Sequence, residues 1–246
     1  RHKLMLVSPG GDHAVRLGLR TVRHIGETAR ATIESEQARG PFTSLKDFVR
    51  RSRLGPQPLA QLARVGAFDC FGYHRRQALW IVLGLSRRAG ELDLAVEETG
   101  HTTLRPMHIG EQIVADFKGM DLSTGPHPMA LIRDQLAACK ILAAADLRHR
   151  RDKSRVAVAG VVVIRQRPVT AKGFLFLTME DETGFINVVV MPSMLARHRR
   201  TIVHHQALIV QGILERQDGV INVIGRQFAP LEAAPGDVTF RSRDFR

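Results

Sequence analysis

Residues 174–192 read FLFLTMEDETGFINVVVMP, and this stretch decides how the second half of the chain folds. Apolar residues alternate along FLFLTMED and along FINVVVM, with Glu182-Thr183-Gly184 between the two runs. Alternation with a period of two is typical of a half-buried strand, and a short polar turn joins two such strands as an antiparallel hairpin. The stretch therefore predicts a β-hairpin with one face in a core.

Three further strand-like runs surround this hairpin. They are VAVAGVVVIRQR at 156–167, ALIVQGILE at 207–215 and VINVIGRQF at 220–228. An Asp-Gly turn signal joins the last two runs, and residues 192–200 have the pattern of a short helix. Five strands with a helix between the third and the fourth is the order of an OB-fold, a small barrel that binds single strands or oligosaccharides. We therefore predict a five-stranded OB-fold domain over residues 151–232.

The two faces of the predicted hairpin differ in chemistry, because alternate residues of a strand share a face. The apolar face, which we predict to be barrel interior, carries Leu175, Leu177, Met179, Ile186, Val188 and Val190. The other face combines aromatic side chains with cations, as base stacking and contact with a nucleic-acid backbone require. There we predict single-strand binding by Phe174, Phe176, Phe185 and Asn187, flanked by Arg165, Arg167 and Lys172. The alternative is that these phenylalanines pack beneath a helix or a neighbouring domain.

The first half of the chain has a helical pattern instead. Apolar residues recur at helical spacing along AVRLGLRTVRHIG at 14–26 and along ETARATIESEQARG at 27–40. Gly26 thus lies between two predicted helices, and Gly66 in LARVGAFD lies between two more. Such a turn exposes backbone N–H groups at the start of its second helix, where a phosphate can bind. The alternative is a plain corner in a helical bundle.

We predict that both helix–glycine–helix units contact a DNA backbone without reading its sequence. The predicted contact residues surround the two glycines and are Arg23, Ile25, Gly26, Arg30, Arg64, Gly66, Arg75 and Arg76.

Charge along the chain supports a polyanionic partner. The net charge is +12. Residues 1–90 carry 16 Lys and Arg against 6 Asp and Glu, residues 91–149 carry 5 against 9, and residues 150–232 carry 12 against 7. Basic charge on folded domains is typical of nucleic-acid-binding proteins. The alternative is a solvated basic face that binds nothing.

Several classes of protein are disfavoured by what the sequence lacks. No apolar run reaches the ~20 residues of a membrane span, and no signal peptide is recognisable. Cys70 and Cys139 lie far apart, which disfavours a zinc site and fits a reducing cytoplasm. No P-loop, G-x-S-x-G motif or paired carboxylates mark a catalytic centre. We therefore predict a binding unit with no metal or cofactor of its own.

Five sequence blocks occur in the order and spacing of the C-terminal part of bacterial C-family DNA polymerases, the relatives of the polymerase III α subunit. The blocks are VRLGLRTVRHIGE, GPFTSLKDFVRR, LARVGAFD, MDLSTGPHPM and FLFLTMEDETGFINVVVMP. The resemblance covers residues 12–232. DLSTGPHPM and the terminal SRDFR most resemble the error-prone, ImuC-type branch used in damage-induced mutagenesis.

The resemblance implies a domain organisation and a set of partners. It implies a tandem helix-hairpin-helix domain over residues 1–90 that grips duplex DNA, a mostly helical connector over 91–150, an OB domain over 151–232 beside the single-stranded template, and a tail over 233–246. For the parent polymerase it implies Mg²⁺ as cofactor and accessory mutasome proteins of the ImuA/ImuB type as partners. It further implies that the sliding clamp is reached only indirectly.

Three departures from the family pattern stand out. His24 occupies a hairpin position where the family usually has glycine, and its Cβ hinders a close phosphate approach. The stretch ELDLAVEETG lacks the glutamine-led clamp-binding peptide of replicative subunits. The catalytic palm domain of the family is not represented in this sequence.

The predicted function is therefore the non-catalytic DNA-binding portion of an error-prone polymerase acting in translesion synthesis, DNA repair and replication. The alternative is a protein-interaction module that docks accessory mutasome proteins through the OB domain and the tail. Exposed phenylalanines ringed by arginine would favour DNA binding, whereas an apolar patch without cations would favour a protein partner.

Overall fold

The chain divides into two compact units, Arg1–Leu122 and Ser123–Arg246. The boundary between the units falls inside the predicted connector, residues 91–150, so each unit contains part of it. The domain boundaries drawn from the sequence remain predictions. In the described residues no helix has the length and apolarity needed to cross a membrane. The structure, a computed structural model, describes residues 5–7, 14–88, 104–217, 219–231 and 243–245, and for 5–7, 14–16, 87–88 and 243–245 the backbone alone.

The described part of the first unit is mainly helical. Its elements are strands β1 (Met5–Val7) and β2 (Ala14–Arg16) and helices α1 (Glu27–Arg39), α2 (Leu45–Ser52), α3 (Pro56–Arg64), α4 (Arg75–Arg88) and α5 (Ile109–Met120). The Ser44 side chain accepts a hydrogen bond from the Asp47 N–H at 3.1 Å and so caps α2. Pro56 occupies the first turn of α3, where a missing N–H has no cost.

The stretch before Gly26 is not the helix that the sequence predicted. Ala14–Arg16 form β2, and a 3-10 turn at Leu19–Thr21 is the helical segment described between β2 and Gly26. The physical reason is the antiparallel pairing of β2 with β1, which holds this backbone extended. Helical periodicity within one segment carries no information about such a partner.

The core of the first unit forms where the helices meet. The Phe48 ring lies between those of Phe42 and Phe68, with centroids 4.8 and 5.1 Å away. Leu59 of α3 and Val82 of α4 have no exposed surface. These side chains fix the positions of the two turns that follow the 3-10 segment and α3.

The second unit is a closed barrel of five strands. Its strands are β3 (Arg155–Gln166), β4 (Leu175–Asp181), β5 (Gly184–Val190), β6 (Ala207–Gln217) and β7 (Val220–Pro230). Around the barrel the order is β3-β4-β5-β7-β6, and β6 pairs with β3 to close it. The predicted fold class, a helix-hairpin-helix domain followed by an OB-fold, is confirmed.

The interior predicted for the β4–β5 hairpin is also confirmed. Leu177, Met179, Ile186 and Val188 have at most 1 % of their surface exposed. β3 bends beside Gly160, pairing with β6 up to Val161 and with β4 from Val161 onward. A Cβ at Gly160 would lie 2.8 Å from the Glu180 carbonyl oxygen, so only glycine permits this close approach of strands.

The residues before β3 pack on the barrel. They include a 3-10 turn at Pro128–Ile132, helix α6 (Arg133–Ala138) and a second 3-10 turn at Ala145–His149. Arg133 forms ion pairs with the carboxylates of Asp181 and Glu182. Asp181 also accepts hydrogen bonds from the N–H groups of Thr183 and Gly184 and so forms the β4–β5 turn.

Helix α7 (Pro192–His204) lies between β5 and β6, as the sequence predicted. Its Ile202 is buried in the barrel core. The final described residues form strand β8 (Arg243–Phe245), whose backbone pairs in parallel with β3 at Ile164–Gln166. β8 thus pairs with the part of β3 that follows the residues paired with β6.

Candidate nucleic-acid interface

The first turn presents the start of α1 to solvent. Gly26 is the N-cap of α1, and no side chain caps the helix. A Cβ at this position would meet nothing within 4 Å, so the space beside the first N–H groups is open. Ile25 is buried and anchors the turn in the core. The arrangement leaves unpaired helix N–H groups facing outward, which favours an anion.

His24 adopts a backbone conformation that favours glycine. Its φ is +60°, in the left-handed region, and its side chain is exposed. A residue with a Cβ pays a steric cost there. Histidine at this position is therefore sterically less favourable than glycine would be.

The two arginines predicted at the first turn have partners inside the unit. Arg23 forms an exposed ion pair with Asp121, and its N–H donates to the Gly119 carbonyl at 2.7 Å. Arg30 Nη1 donates to the Ile25 carbonyl at 3.0 Å. Exposed pairs contribute little, so a phosphate can compete for Arg23.

The second turn is built around Gly66, whose φ is +78°. A Cβ there would lie 2.8 Å from Asp69 Oδ2 and 3.0 Å from Arg75 Nε. Arg64 is exposed next to the turn. Gly66 is thus required both by the backbone conformation and by the packing of Arg75 against it.

The prediction that Arg75 contacts DNA is corrected by the structure, because this side chain is buried. Only 9 % of its surface is exposed, and its Nη1 lies 2.5 Å from Asp116 Oδ1. The same atom donates to the carbonyls of Arg64 and Gln112 at 3.3 and 3.1 Å. Because its guanidinium is committed within the protein, we leave Arg75 out of the DNA-binding surface.

Arg76 remains at the surface, paired with an acidic residue. Its Nη2 lies 2.7 Å from Glu111 Oε1, and its Nη1 donates to the Arg105 carbonyl at 3.0 Å. The pKa of Glu111 lies below its usual range, mainly because its carboxylate accepts a hydrogen bond from the His108 N–H and, to a smaller extent, because Arg76 is close. Glu111 therefore stays ionised and competes with phosphate for Arg76.

The two turns share one surface cavity. It has a volume of about 420 Å³ and is lined by His24 from the first turn, Arg64 from the second, and Gln57, Ala60 and Leu83 among others. The structure thereby brings together residues that are 40 positions apart in the sequence, counting from 24 to 64. A polyanion that contacts both turns would pass this cavity.

The outer face of β4–β5 presents two phenylalanine rings. Phe176 is 38 % exposed and Phe185 65 % exposed. Between them lies the exposed Asn187, paired across the strands with Thr178. Phe174 is only half-buried and precedes β4. The alternative was that these phenylalanines pack beneath a helix or a neighbouring domain. Phe176 and Phe185 are instead exposed.

Cations lie at both ends of this face. Arg167 and Lys172 are exposed on the loop that leads into β4. At the other end, Arg148 lines a small cavity of about 80 Å³ together with Phe185 and Asn187. Arg165 is different: it is 7 % exposed and donates to the carbonyls of Ile202 and His205 at 3.0 and 2.5 Å. We correct its assignment, because its charge faces α7.

Sequence reasoning missed the basic run at 148–151. Arg148, Arg150 and Arg151 are all exposed. The run RHRR is visible in the sequence, but it stands at the border of a segment whose net charge is acidic. A search for local arginine runs, rather than segment averages, would have found it.

Two parts of the chain match known families. Residues 3–78 match the family described as helix-hairpin-helix motif, and residues 156–231 match the family described as OB-fold nucleic acid binding domain. One solved structure, asparaginyl-tRNA synthetase from Pyrococcus horikoshii, aligns with 38 % of this chain and 22 % of its own chain at 20 % identity, with a TM-score of 0.32.

Curated relatives match nearly the whole chain. A protein of Azoarcus sp. (strain BH72) named error-prone DNA polymerase is 38 % identical over 96 % of this chain and 22 % of its own length. Proteins of the same name are 40 % identical over 94 % in Mycolicibacterium paratuberculosis and 38 % identical over 96 % in Xanthomonas campestris pv. campestris, covering 21 % and 22 % of those proteins. The chain spans about a fifth of the length of the relatives it matches.

Proposed function

Because this chain is homologous to a segment of the error-prone DNA polymerases, we propose that it is a non-catalytic DNA-binding portion of such an enzyme. The family resemblance carried by the five sequence blocks is confirmed. In this proposal the two turns of the first unit hold duplex backbone, and the outer face of β4–β5 holds single-stranded template. The proposal extends to the roles implied by the resemblance: translesion synthesis and DNA repair in the cytoplasm.

The observation that carries the proposal is the order of groups across β4–β5. Arg167 and Lys172 lie at one end, the rings of Phe176 and Phe185 follow, and Arg148 lies at the far end. A single strand that crosses this face can stack bases on the rings and place phosphates near the cations. Stacking of this kind contributes about 1–3 kcal/mol per base and is tolerant of sequence.

The first unit supports backbone contact of a weaker kind. Its open α1 N-terminus and the exposed Arg64 are suited to phosphate, while Arg23 and Arg76 must exchange an acidic partner for it. Contacts of this type position a protein without reading sequence, and their strength falls steeply with salt. We therefore propose that duplex binding by this unit is salt-sensitive and sequence-independent.

A protein partner is the competing use of the OB face. Accessory mutasome proteins of the ImuA/ImuB type, and the sliding clamp reached through them, remain proposals for the parent polymerase. Cations at both ends of the phenylalanine face favour nucleic acid over an apolar protein surface. The test must therefore separate stacking from general apolar contact.

The test is fluorescence anisotropy on a primer–template with a single-stranded overhang, comparing Phe176→Ala and Phe185→Ala with Phe176→Leu. Each alanine variant should weaken overhang binding by roughly fivefold to 150-fold, since about 1–3 kcal/mol of stacking is lost. Phe176→Leu keeps apolar surface without a ring and should bind nearly as weakly as Phe176→Ala. Wild-type affinity in all three variants would overturn single-strand binding on this face.

A further inference from the structure

We propose that the solvent face of α7 is a second binding surface for the sugar–phosphate backbone of nucleic acid. We call it the α7 arginine face and define it by Arg197, Arg199 and Arg200, all exposed. It is distinct from the β4–β5 face, and its existence does not depend on stacking there.

The local geometry of α7 turns these arginines outward. The helix is interrupted at His198, whose φ and ψ are −112° and 19°. The His198 ring packs at 5.6 Å, centroid to centroid, from the ring of Phe228. Because His198 faces the barrel, its neighbours Arg197 and Arg199 face solvent, and Arg200 follows on the next turn.

The far end of α7 is held by a buried cation. Arg165 donates to the carbonyls of Ile202 and His205, the last of which follows the helix. A positive charge at a helix C-terminus is favourable because the terminal carbonyls carry partial negative charge. Ile202, buried in the core, fixes the same turn. The arginine face is therefore presented by a helix anchored in the barrel.

No acidic side chain neutralises this face within the described residues. The sequence from 183 to 214 contains no Asp or Glu. The ion pairs that the described residues form engage other cations, such as Arg133 and Lys153. Three neighbouring positive charges that no described acidic side chain pairs with favour a ligand that carries repeated negative charge.

The start of α7 lies against the loop that carries cations beside β4. A Cβ built at Gly173 would lie 3.5 Å from Pro192 Cγ and 4.0 Å from Arg167 Nη2, so the loop carrying Arg167 and Lys172 abuts the start of α7. Exposed cations thus lie on both sides of the contact between this loop and α7. Two neighbouring groups of cations favour a nucleic-acid backbone over a short acidic peptide, because a long polyanion can contact both groups.

The chemistry of the face indicates phosphate contact without base stacking. Between Pro192 and Val203 the other exposed side chains of α7, among them Ser193 and Ala196, include no aromatic ring, and the exposed imidazole of His204 lies at the C-terminal end of the helix. Arginine binds phosphate through paired N–H donors. Binding at α7 should therefore depend on the backbone alone.

The experiment compares the triple variant Arg197→Gln/Arg199→Gln/Arg200→Gln with the triple variant Arg39→Gln/Lys46→Gln/Arg50→Gln. The second variant removes the same charge from α1 and α2. The probes are a thymidine strand of about 24 nucleotides, longer than the 4–16 that one OB fold covers, and an abasic strand of equal length. Affinity is measured by anisotropy between about 50 and about 300 mM salt.

The α7 variant should make the slope of log K against log salt shallower by about 2, since each phosphate contact with a single strand contributes about 0.7. It should do so on both strands, while the control variant leaves the slope unchanged. Phe176→Ala should weaken binding of the thymidine strand and leave binding of the abasic strand unchanged. A shallower salt slope in the α7 variant together with no effect of Phe176→Ala would refute stacking and support the α7 site.

Two results would overturn the proposal. One is an unchanged salt slope in the α7 variant on both strands. The other is an equal change in the control variant, which would show a general effect of net charge. A third contradicting result is an α7 variant that no longer binds a poly-glutamate peptide but binds both strands as the wild type does. That result would assign α7 to an acidic protein partner.

Discussion

Nη1 of Arg75 lies 2.5 Å from Oδ1 of Asp116, and this buried ion pair joins α4 to α5. The partners are 41 positions apart in the sequence. Through Arg75 the second turn, at Gly66, rests on a helix from the stretch that the sequence assigned to a connector. Arg23 makes a similar link from the first turn to Gly119 and Asp121 at the end of α5. α5 thus supports both turns.

Removal of Asp116 should destabilise the first unit strongly. Asp116→Ala removes the carboxylate paired with the buried Arg75 guanidinium and leaves Asp69 as its acidic neighbour, so the loss in the free energy of unfolding should reach up to about 3–5 kcal/mol. The double variant Arg75→Met/Asp116→Leu should lose less, because no buried charge remains. Urea unfolding is followed by the fluorescence of Trp80 in α4, the one tryptophan of the chain. Arg39→Ala, which opens an exposed pair with Glu36, is the control and should cost less than about 1 kcal/mol.

Two glycines in the same unit should respond in opposite directions to alanine. Gly66→Ala should lower the free energy of unfolding by about 2 kcal/mol or more, from the left-handed backbone and the contacts with Asp69 and Arg75. Gly84→Ala should raise it by about 0.5–1 kcal/mol, because Gly84 lies in α4 with open space around it. The Trp80 unfolding curve measures both. A loss for Gly84→Ala as large as that for Gly66→Ala would contradict the geometry.

His24→Gly should strengthen duplex binding by the first turn. Glycine removes the Cβ beside the α1 N-terminus and relieves a left-handed backbone that costs roughly 1 kcal/mol. Anisotropy with a blunt duplex at low salt measures the affinity. Arg53→Gly is the matched control, since Arg53 also has positive φ, 50°, at the end of α2. An equal gain in duplex affinity for both variants would show that the first turn does not contact the duplex.

His127 should make the second unit less stable in acid. Burial lowers the pKa of His127, although Glu180 and Glu182 act in the opposite direction. The unfolded state therefore binds the proton more readily, and stability is lost as the pH falls from about 6.5 through the folded-state pKa. Protonation also abolishes the acceptor Nδ1, which takes a hydrogen bond from the Met129 N–H at 3.2 Å.

The measurement is hydrogen exchange of β4 amides at pH 7.5 and about pH 5.5, compared between wild type and His127→Asn. Asparagine can still cap the Pro128–Ile132 turn but does not titrate in this range. Comparison at equal pH cancels the intrinsic exchange rate. The same loss of protection in both proteins would show that His127 is not responsible.

Much of the fold was predictable because it rests on local patterns. Alternation placed Leu177 and Val188 inside the barrel, and the order of the strand-like runs predicted the OB-fold. The helix over 14–26 was predicted wrongly, because pairing between β1 and β2 outweighed helical periodicity. The exposed Phe176 and Phe185 followed from alternation, whereas the neighbouring Arg148 became apparent only when the structure placed it beside Phe185.

The sequence by itself determined the order of the five barrel strands, the two faces of the β4–β5 hairpin and the excess of positive charge. These depend on residues a few positions apart, so their spacing is enough. Only the tertiary structure decided which arginines are free to meet a ligand. Arg75 and Arg165 look like their surface neighbours in the sequence, yet each is buried and donates a hydrogen bond to a carbonyl 37 positions away. A guanidinium in low dielectric must find such partners, and chain proximity does not reveal them.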